Sequence, residues 1–172
     1  MSGLIHIYCG DGKGKTTAAV GLAVRAAGAG QKVLFAQFLK TDMSSEIPVL
    51  RGLDGVRMRH CATVRGWVRD MTEPQRTQAA GDYNGFLAEL FREAEAYDLL
   101  VLDEVITACG AGFIQPAALA RLLETKPEGL EVVLTGRDPD PALTELADYI
   151  TEMRKKKHPF DRGIRARKGI EF

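Results

Sequence analysis

Short apolar runs alternate along the chain with segments in which apolar residues recur at helical spacing. The runs at 4–9, 33–39, 56–61, 99–102 and 131–134 predict β-strands, and the segments 15–27 and 116–123 predict helices. A longer amphipathic helix is predicted after Thr72 and Gln75, which have capping-box spacing. Because apolar strands separated by helices need a sheet covered on both faces, the pattern predicts an α/β protein with a mostly parallel sheet.

The chain has 172 residues, and we predict a single domain over 1–172 that ends in a basic C-terminal tail. No apolar run reaches the roughly 18 residues that a membrane span needs, and no signal peptide precedes the first predicted strand. The cysteines Cys9, Cys61 and Cys109 match neither a disulfide framework nor a metal ribbon. These features predict a cytoplasmic protein with reduced thiols and no membrane partner.

The net charge is zero, but the charges are unevenly distributed. Residues 151–172 contain eight basic and three acidic residues, a local net charge of +5, whereas residues 1–150 carry −5. Such a tail is either a solvated terminus or a surface that contacts an anionic ligand. Because the domain as a whole lacks a basic balance, nucleic acid is not an expected partner.

The strongest local signal follows the first predicted strand and has the sequence Gly10-Asp11-Gly12-Lys13-Gly14-Lys15-Thr16-Thr17. Glycines let the backbone wrap closely around phosphates, and the following helix directs its positive end to the same place. Lys15 supplies a positive charge, and Thr16 supplies a hydroxyl for Mg²⁺. Cys9 stands where the usual pattern has its first glycine, so a chance Gly-Lys turn is the alternative. The order of strand, loop and helix favours a nucleotide-binding phosphate loop (P-loop).

A second candidate element is the predicted strand 99–102 with the two carboxylates that follow it, Asp103 and Glu104. Acidic residues often end strands as solvated groups. Beside a phosphate loop, however, they are candidate Mg²⁺ ligands together with Thr16, because a hard cation that bridges phosphates prefers oxygen. If the strand geometry continues, the two carboxylates point to opposite faces, and at most one of them contacts the metal.

Two further residues are candidates for ligand contact. Arg137 follows the strand predicted at 131–134 and therefore lies at the ligand-binding edge, where it either contacts nucleotide phosphate or ribose or is a solvated surface residue. Trp67 is the only tryptophan and lies in a segment without helical or strand period. It is either a core residue, which is the commoner case, or a loop residue that packs on a flat ligand.

Several short motifs together resemble the P-loop type of ATP:corrinoid adenosyltransferases. Besides the phosphate loop with Ala18-Ala19, they are Gln37-Phe38-Leu39-Lys40, Leu102-Asp103-Glu104, Leu134-Thr135-Gly136-Arg137, Ala147-Asp148, Thr151-Glu152-Met153, Lys157-His158-Pro159-Phe160 and Gly169-Ile170-Glu171-Phe172. The resemblance covers nearly the whole chain. The last two motifs are much more specific than a phosphate loop.

The resemblance implies a RecA-like P-loop domain, a homodimer, and transfer of the 5′-deoxyadenosyl group of ATP to the cobalt of a reduced corrinoid, with triphosphate as the leaving group. It also implies that ATP lies in the loop in a reversed sense, which exposes the ribose 5′ carbon. Co(I) is itself a strong nucleophile, so the protein needs positioning and charge stabilisation more than a base. Lys15, Thr16 and Trp67 are the implied catalytic residues, Mg²⁺ is the implied cofactor, and a flavin or flavoprotein is a candidate electron donor.

One segment departs from the family pattern. Val64-Arg65-Gly66-Trp67 stands where the family has a Gly-Phe-Thr-Trp stretch near the corrinoid. Trp67 matches, but Arg65 replaces the phenylalanine. From the residues alone, two other functions stay open: a small P-loop kinase or ATPase that cleaves the terminal phosphate, and a switch module in which ATP binding moves a loop without group transfer.

Overall fold

A computed structural model describes residues 2–40, 44–61 and 71–172 of the chain. The order of elements is β1 (Ile5–Cys9), α1 (Lys15–Gly28), β2 (Val33–Gln37), α2 (Glu46–Arg51), β3 (Val56–His60), α3 (Glu73–Glu93), β4 (Leu99–Asp103), α4 (Val105–Gly110), α5 (Pro116–Glu124), β5 (Glu131–Thr135), α6 (Pro141–Thr144) and β6 (Tyr149–Glu152). Strands and helices alternate through most of this order, as the apolar pattern predicts.

The described residues contain six strands, which form one sheet in the order β3-β2-β4-β5-β1-β6. Every pairing among these strands is parallel, so the prediction of an α/β protein with a mostly parallel sheet is confirmed. The strand before the phosphate loop, β1, is separated from the strand that ends in Asp103, β4, by one strand, β5. This arrangement is consistent with a RecA-like P-loop fold.

The core lies on both faces of the sheet because the central strands are apolar on both sides. β2 and β4 are buried at every position. On one face α1 packs through its small residues Ala19, Ala23 and Ala26 against Phe35 and Val101. The other face is covered by α3, α4 and α5, whose apolar side chains form the larger core cluster. Burial on both faces fixes the sheet, and thereby the edge at which its loops converge.

Local signals set the ends of several elements. The N–H of Thr72 donates to the side-chain oxygen of Gln75 at 2.8 Å, which is half of the predicted capping box of α3. Asp140 caps α6 by accepting the N–H of Ala142 at 2.9 Å. In the described parts of the chain, no helix combines the length and apolar character that crossing a membrane demands.

Candidate nucleotide-binding site

The predicted phosphate loop lies at the carboxyl edge of the sheet, between β1 and α1. β1 pairs with β5 and with β6, and β5 pairs with β4, so the segments that follow these strands meet around the loop. Ligands of parallel sheets bind at this edge. The candidate residues that lie far apart in the sequence are therefore brought to one place by strand order alone.

Lys15 is the first residue of α1, and its side chain folds back over the loop. Its Nζ donates to the carbonyl oxygens of Gly10 at 2.7 Å and Gly12 at 2.8 Å. Burial lowers the pKa of Lys15, and the nearby Arg137 lowers it further, whereas Glu104 acts in the opposite direction. The first turn of α1 contains no acidic residue. The loop thus joins a positive side chain to a helix N-terminus, an arrangement that favours anions.

Gly10 and Gly12 are needed because the backbone after β6 crosses directly over the loop. A Cβ on Gly10 would lie 2.5 Å from the carbonyl oxygen of Met153, and one on Gly12 would lie 2.6 Å from the same oxygen. The Gly12 N–H donates to that oxygen at 2.6 Å. These glycines therefore permit a close approach within the protein, in addition to the approach to phosphate that the sequence motif suggests.

A buried polar network connects the loop to β4. Asp103 is completely buried, and its Oδ1 accepts from Thr16 Oγ1 at 2.9 Å and from Thr135 Oγ1 at 2.7 Å. Its Oδ2 accepts from Gln37 Nε2 at 3.2 Å and from Lys40 Nζ at 2.7 Å. Among the residues that the structure describes, Gln37, Asp103 and Thr135 are the polar side chains of the core that are fully or almost fully buried. Concentrating buried polarity in one satisfied network is typical of a functional site.

Glu104 lies beside this network but is not part of strand β4. β4 ends at Asp103, and Glu104 has a φ of 63°, which places it in the left-handed region and starts α4. The strand geometry that would send the two carboxylates to opposite faces therefore does not continue. The Glu104 N–H donates to Thr135 Oγ1 at 2.8 Å, and its carboxylate accepts from Thr107 Oγ1 at 2.5 Å. A non-glycine residue held in this conformation commonly marks a functional site.

Oxygen donors at this edge fit a divalent cation that arrives with phosphates. Thr16, Asp103 and Glu104 supply a hydroxyl and two carboxylates, and Mg²⁺ is usually bound by one or two carboxylates together with phosphate oxygens. Within residues 2–40, 44–61 and 71–172, no group of three or more His, Cys, Asp or Glu side chains is placed to hold a metal. The chemistry of the donor set suits a metal that arrives with a nucleotide.

Arg137 lies directly beside the loop, as predicted from its position after β5. Its carbonyl oxygen accepts the N–H of Gly10 at 3.0 Å, and its side chain is exposed. The charge of Arg137 lowers the pKa values of both Lys15 and Asp11. Thr17 is exposed on the first turn of α1. Both residues are thus at the edge where a ligand of the loop would lie.

The basic tail returns to the phosphate loop. The backbone N–H of Lys155 donates to Asp11 Oδ1 at 2.9 Å, and this hydrogen bond is the main cause of the lowered pKa of Asp11. Lys13 Nζ lies 3.2 Å from Glu171 Oε1. Hydrogen bonds from Arg167 are the main reason that the pKa of Glu171 is lowered to about 2. The tail therefore contacts the loop near its beginning, through Lys155, and near its end, through Glu171. Most of its charged side chains are exposed to solvent.

Most of the predicted site residues come together at this edge, and some further residues join them. The predicted residues found there are Gly10, Asp11, Gly12, Lys13, Gly14, Lys15, Thr16, Thr17, Asp103, Glu104 and Arg137. Trp67 and Arg65 lie outside the described residues. The prediction did not include Gln37, Lys40, Thr135 or Glu171, although all four stand in the motifs quoted above. For Gln37 and Thr135 the available signal was a polar residue at the end of an apolar strand.

The fold and this site define a P-loop nucleotide-binding protein of the RecA-like type. A family model described as ATP:corrinoid adenosyltransferase BtuR/CobO/CobP matches residues 1–172. The chain belongs to the ATP:corrinoid adenosyltransferase family, and the resemblance noted in the sequence is confirmed.

Individual relatives support the same assignment. The chain is 33% identical over 170 residues to the corrinoid adenosyltransferase of Escherichia coli strain K12, and the matched region covers 99% of this chain and 86% of that protein. It is 31% identical over 170 residues to the corrinoid adenosyltransferase of Pseudomonas aeruginosa, with 99% and 84% covered. It is also 31% identical over 170 residues to corrinoid adenosyltransferase CobA of Salmonella typhimurium, with 99% and 86% covered.

Proposed function

We propose that this protein transfers the adenosyl group of ATP to a corrinoid, as an ATP-using transferase of cobalamin biosynthesis. The observation that carries the proposal is the family match over residues 1–172. The geometry supports it because the phosphate loop, the buried Asp103 network and Arg137 meet at one sheet edge. Such an edge can hold a triphosphate while the rest of the nucleotide extends away from it.

The reaction balances without a base from the protein. Co(I) of the reduced corrinoid supplies an electron pair to the ribose 5′ carbon, and a cobalt–carbon bond forms. The bond between that carbon and the triphosphate oxygen breaks, and triphosphate leaves with its electrons. The cobalt is thereby formally oxidised to Co(III). Because charge grows on the leaving triphosphate, stabilising positive charge at the loop lowers the barrier.

The residues of the loop provide that charge in this proposal. Lys15 is positioned by two carbonyl oxygens of the loop and exchanges them for phosphate oxygens when the nucleotide binds. Lys13, within the loop, and Arg137, beside it, act on the same leaving group. Thr16, with Asp103 and Glu104, would hold Mg²⁺, which neutralises phosphate charge when it is bound. Positioning and electrostatics then account for the protein's share of catalysis.

The leaving group separates this proposal from ordinary P-loop chemistry. Attack at the ribose 5′ carbon expels all three phosphates as one unit, whereas a kinase or ATPase leaves ADP. We expect inorganic triphosphate to appear in a one-to-one ratio with adenosylcorrinoid, and only when a chemically reduced corrinoid is present. Phosphorus NMR of an anaerobic reaction measures both products. Formation of ADP and phosphate at the same rate without corrinoid would contradict the proposal.

For Trp67 we propose a role at the corrinoid, motivated by its match to the family's aromatic position. The resemblance suggests that Co(II) loses its axial ligand before it is reduced, and a bulky apolar side chain can keep that face of the corrinoid dry. We expect Trp67→Ala to reduce adenosylation much more when the reaction starts from Co(II) than from pre-reduced Co(I). Equal losses from both starting states, or loss of the fold in circular dichroism, would indicate a core tryptophan instead.

Three further features belong to the same proposal. A homodimer is supported by the resemblance, and light scattering tests it. The resemblance leads us to propose a reduced flavin or a flavoprotein as the electron donor. A cytoplasmic location is supported by Cys9 and Cys109, which the structure shows as thiols.

A further inference from the structure

The charge of the buried Asp103 carboxylate is balanced by one particular side chain. Among the described residues, four groups donate to this carboxylate, from Thr16, Thr135, Gln37 and Lys40, and of these four the Lys40 ammonium is the charged one. Asp103 has no exposed surface, and the Lys40 side chain is 26% exposed. A buried carboxylate is costly unless a cation lies against it. Lys40 is therefore the counter-ion of Asp103.

The same ammonium also donates a hydrogen bond to Thr16 Oγ1, the hydroxyl oxygen that would bind a metal. Thr16 Oγ1 donates its hydrogen to Asp103 Oδ1 at 2.9 Å and accepts from Lys40 Nζ at 2.7 Å. Lys40 Nζ is also 2.7 Å from Asp103 Oδ2, so it lies between the hydroxyl and the carboxylate. Mg²⁺ binds oxygen at about 2.0–2.1 Å. Two cations on one hydroxyl oxygen repel each other strongly in a site shielded from water.

The backbone at Lys40 is held in place by a strained turn. Leu39 has a φ of 56°, in the left-handed region that a branched residue rarely adopts. Its N–H donates to Tyr83 Oη at 3.1 Å, and the preceding Phe38 N–H donates to the Asp103 carbonyl at 2.9 Å. Contacts to both α3 and β4 thus hold a conformation that costs free energy. The turn fixes the backbone position of Lys40, whereas the Lys40 side chain is long and flexible.

We propose that Lys40 holds the metal position of the nucleotide-free protein and yields it when a divalent cation enters with the triphosphate. This inference rests on the proposed function, because it concerns the metal that accompanies ATP. The Lys40 ammonium suppresses binding of a metal alone, since a free cation must displace a hydrogen-bonded charge. A metal that arrives with triphosphate brings negative charge to which the displaced ammonium can turn. Lys40 thus couples metal binding to nucleotide binding.

The test measures binding of Mn²⁺ alone, without nucleotide, by electron paramagnetic resonance of the free ion. Lys40→Met keeps the length and apolar part of the side chain but removes the charge. We expect its dissociation constant for Mn²⁺ to be at least about ten-fold lower than that of the unmodified protein, because one nearby charge is worth more than a tenfold change in binding. Lys40→Arg keeps the charge and is expected to bind Mn²⁺ as weakly as the unmodified protein does.

Two controls assign the effect to Asp103. Lys32→Met removes an exposed lysine at the opposite edge of the sheet and should leave Mn²⁺ binding unchanged. Lys40→Met combined with Asp103→Asn removes both charges and should abolish the gain. Lys40→Met alone should also melt at a lower temperature without metal and be stabilised by Mg²⁺ more than the unmodified protein is. If Lys40→Met does not fold, Lys40→Gln, which can still hydrogen-bond to both oxygens, replaces it in the same titration.

The inference and the proposed function fail in different ways. Equal Mn²⁺ binding by the unmodified protein and the neutral Lys40 variants would overturn the role of Lys40, whatever the protein's activity. An equal gain from Lys40→Met and Lys40→Arg would overturn it as well, because the charge would then be irrelevant. A charge-dependent gain in a protein that forms no adenosylcorrinoid would support the role of Lys40 and contradict only the proposed transfer.

Discussion

We expect Lys15→Ala to lower the rate of adenosyl transfer by about 100- to 1000-fold, the usual effect of removing one preorganised charge or donor from a transition state. The Lys15 side chain folds back over the loop, where burial lowers its pKa and strengthens its interaction with a phosphate. The loss should appear in kcat, because charge develops on the triphosphate as its bond to carbon breaks. Single-turnover formation of the light-sensitive adenosylcorrinoid measures the chemical step directly.

The fold should tolerate this substitution. Lys15 contributes two hydrogen bonds to loop carbonyls and no apolar packing that the core needs, so we expect a loss of about 1 kcal/mol in the free energy of unfolding. Lys32→Ala, at the other edge of the sheet, is the matched control and should leave transfer unchanged. Turnover by Lys15→Ala equal to that of the control would rule out the assigned role of the loop.

The neighbouring Thr16 offers a sharper pair of variants. Thr16→Val keeps the shape but removes the hydroxyl that contacts Asp103 and Lys40, whereas Thr16→Ser keeps the hydroxyl. We expect a large loss of transfer in the valine variant and most of the activity in the serine variant. Activity that is kept by the valine variant and lost by the serine variant would show that the methyl packing, and not the hydroxyl, is important.

The largest expected effect on stability is that of Gly136→Ala. A Cβ at this position would lie 2.5 Å from the Cβ of Ile106 and 2.6 Å from the N of Thr107, both in α4. The φ of 156° adds backbone strain. Overpacking against a buried helix and strain together should cost about 3–5 kcal/mol in the free energy of unfolding. For a chain of this length the melting temperature should then fall by roughly 10 °C.

This substitution should also disturb the site, because the loop after β5 carries Arg137, whose carbonyl accepts the Gly10 N–H. Urea unfolding and nucleotide affinity measure the two effects. Gly112 has a positive φ of 80°, but no atom of the described residues lies within 4 Å of an added Cβ, so Gly112→Ala isolates strain and should cost about 1 kcal/mol. Gly21 lies in the middle of α1 and its added Cβ is equally free of described neighbours, so Gly21→Ala should stabilise by about 0.5–1 kcal/mol. A Gly136→Ala variant as stable as Gly21→Ala would contradict the close contact with α4.

The elements that the sequence predicted well are those with a strong apolar period. β2 and β4 are buried at every position, β5 at every position but its first, and β1 at alternate positions. The helix α3 combines a capping box with six buried residues. Each of these elements therefore carries its own apolar signal. β6 was missed because all four of its residues are exposed, which leaves no apolar run to detect. The short helices α2, α4 and α6 were missed for a related reason, since four to six residues contain too little of the helical period.

The sequence alone predicted the phosphate loop, the carboxylates of Asp103 and Glu104, and Arg137, because each stands in a local pattern with a recognisable spacing. Only the tertiary structure decided that Lys40 is the counter-ion of Asp103 and that Met153 closes over Gly12. These contacts join residues 63 and more than 100 positions apart. They arise from the parallel order of β2, β4, β1 and β6, and from a strained turn at Leu39. No local spacing encodes such contacts, because strand order is set by burial of the whole sheet.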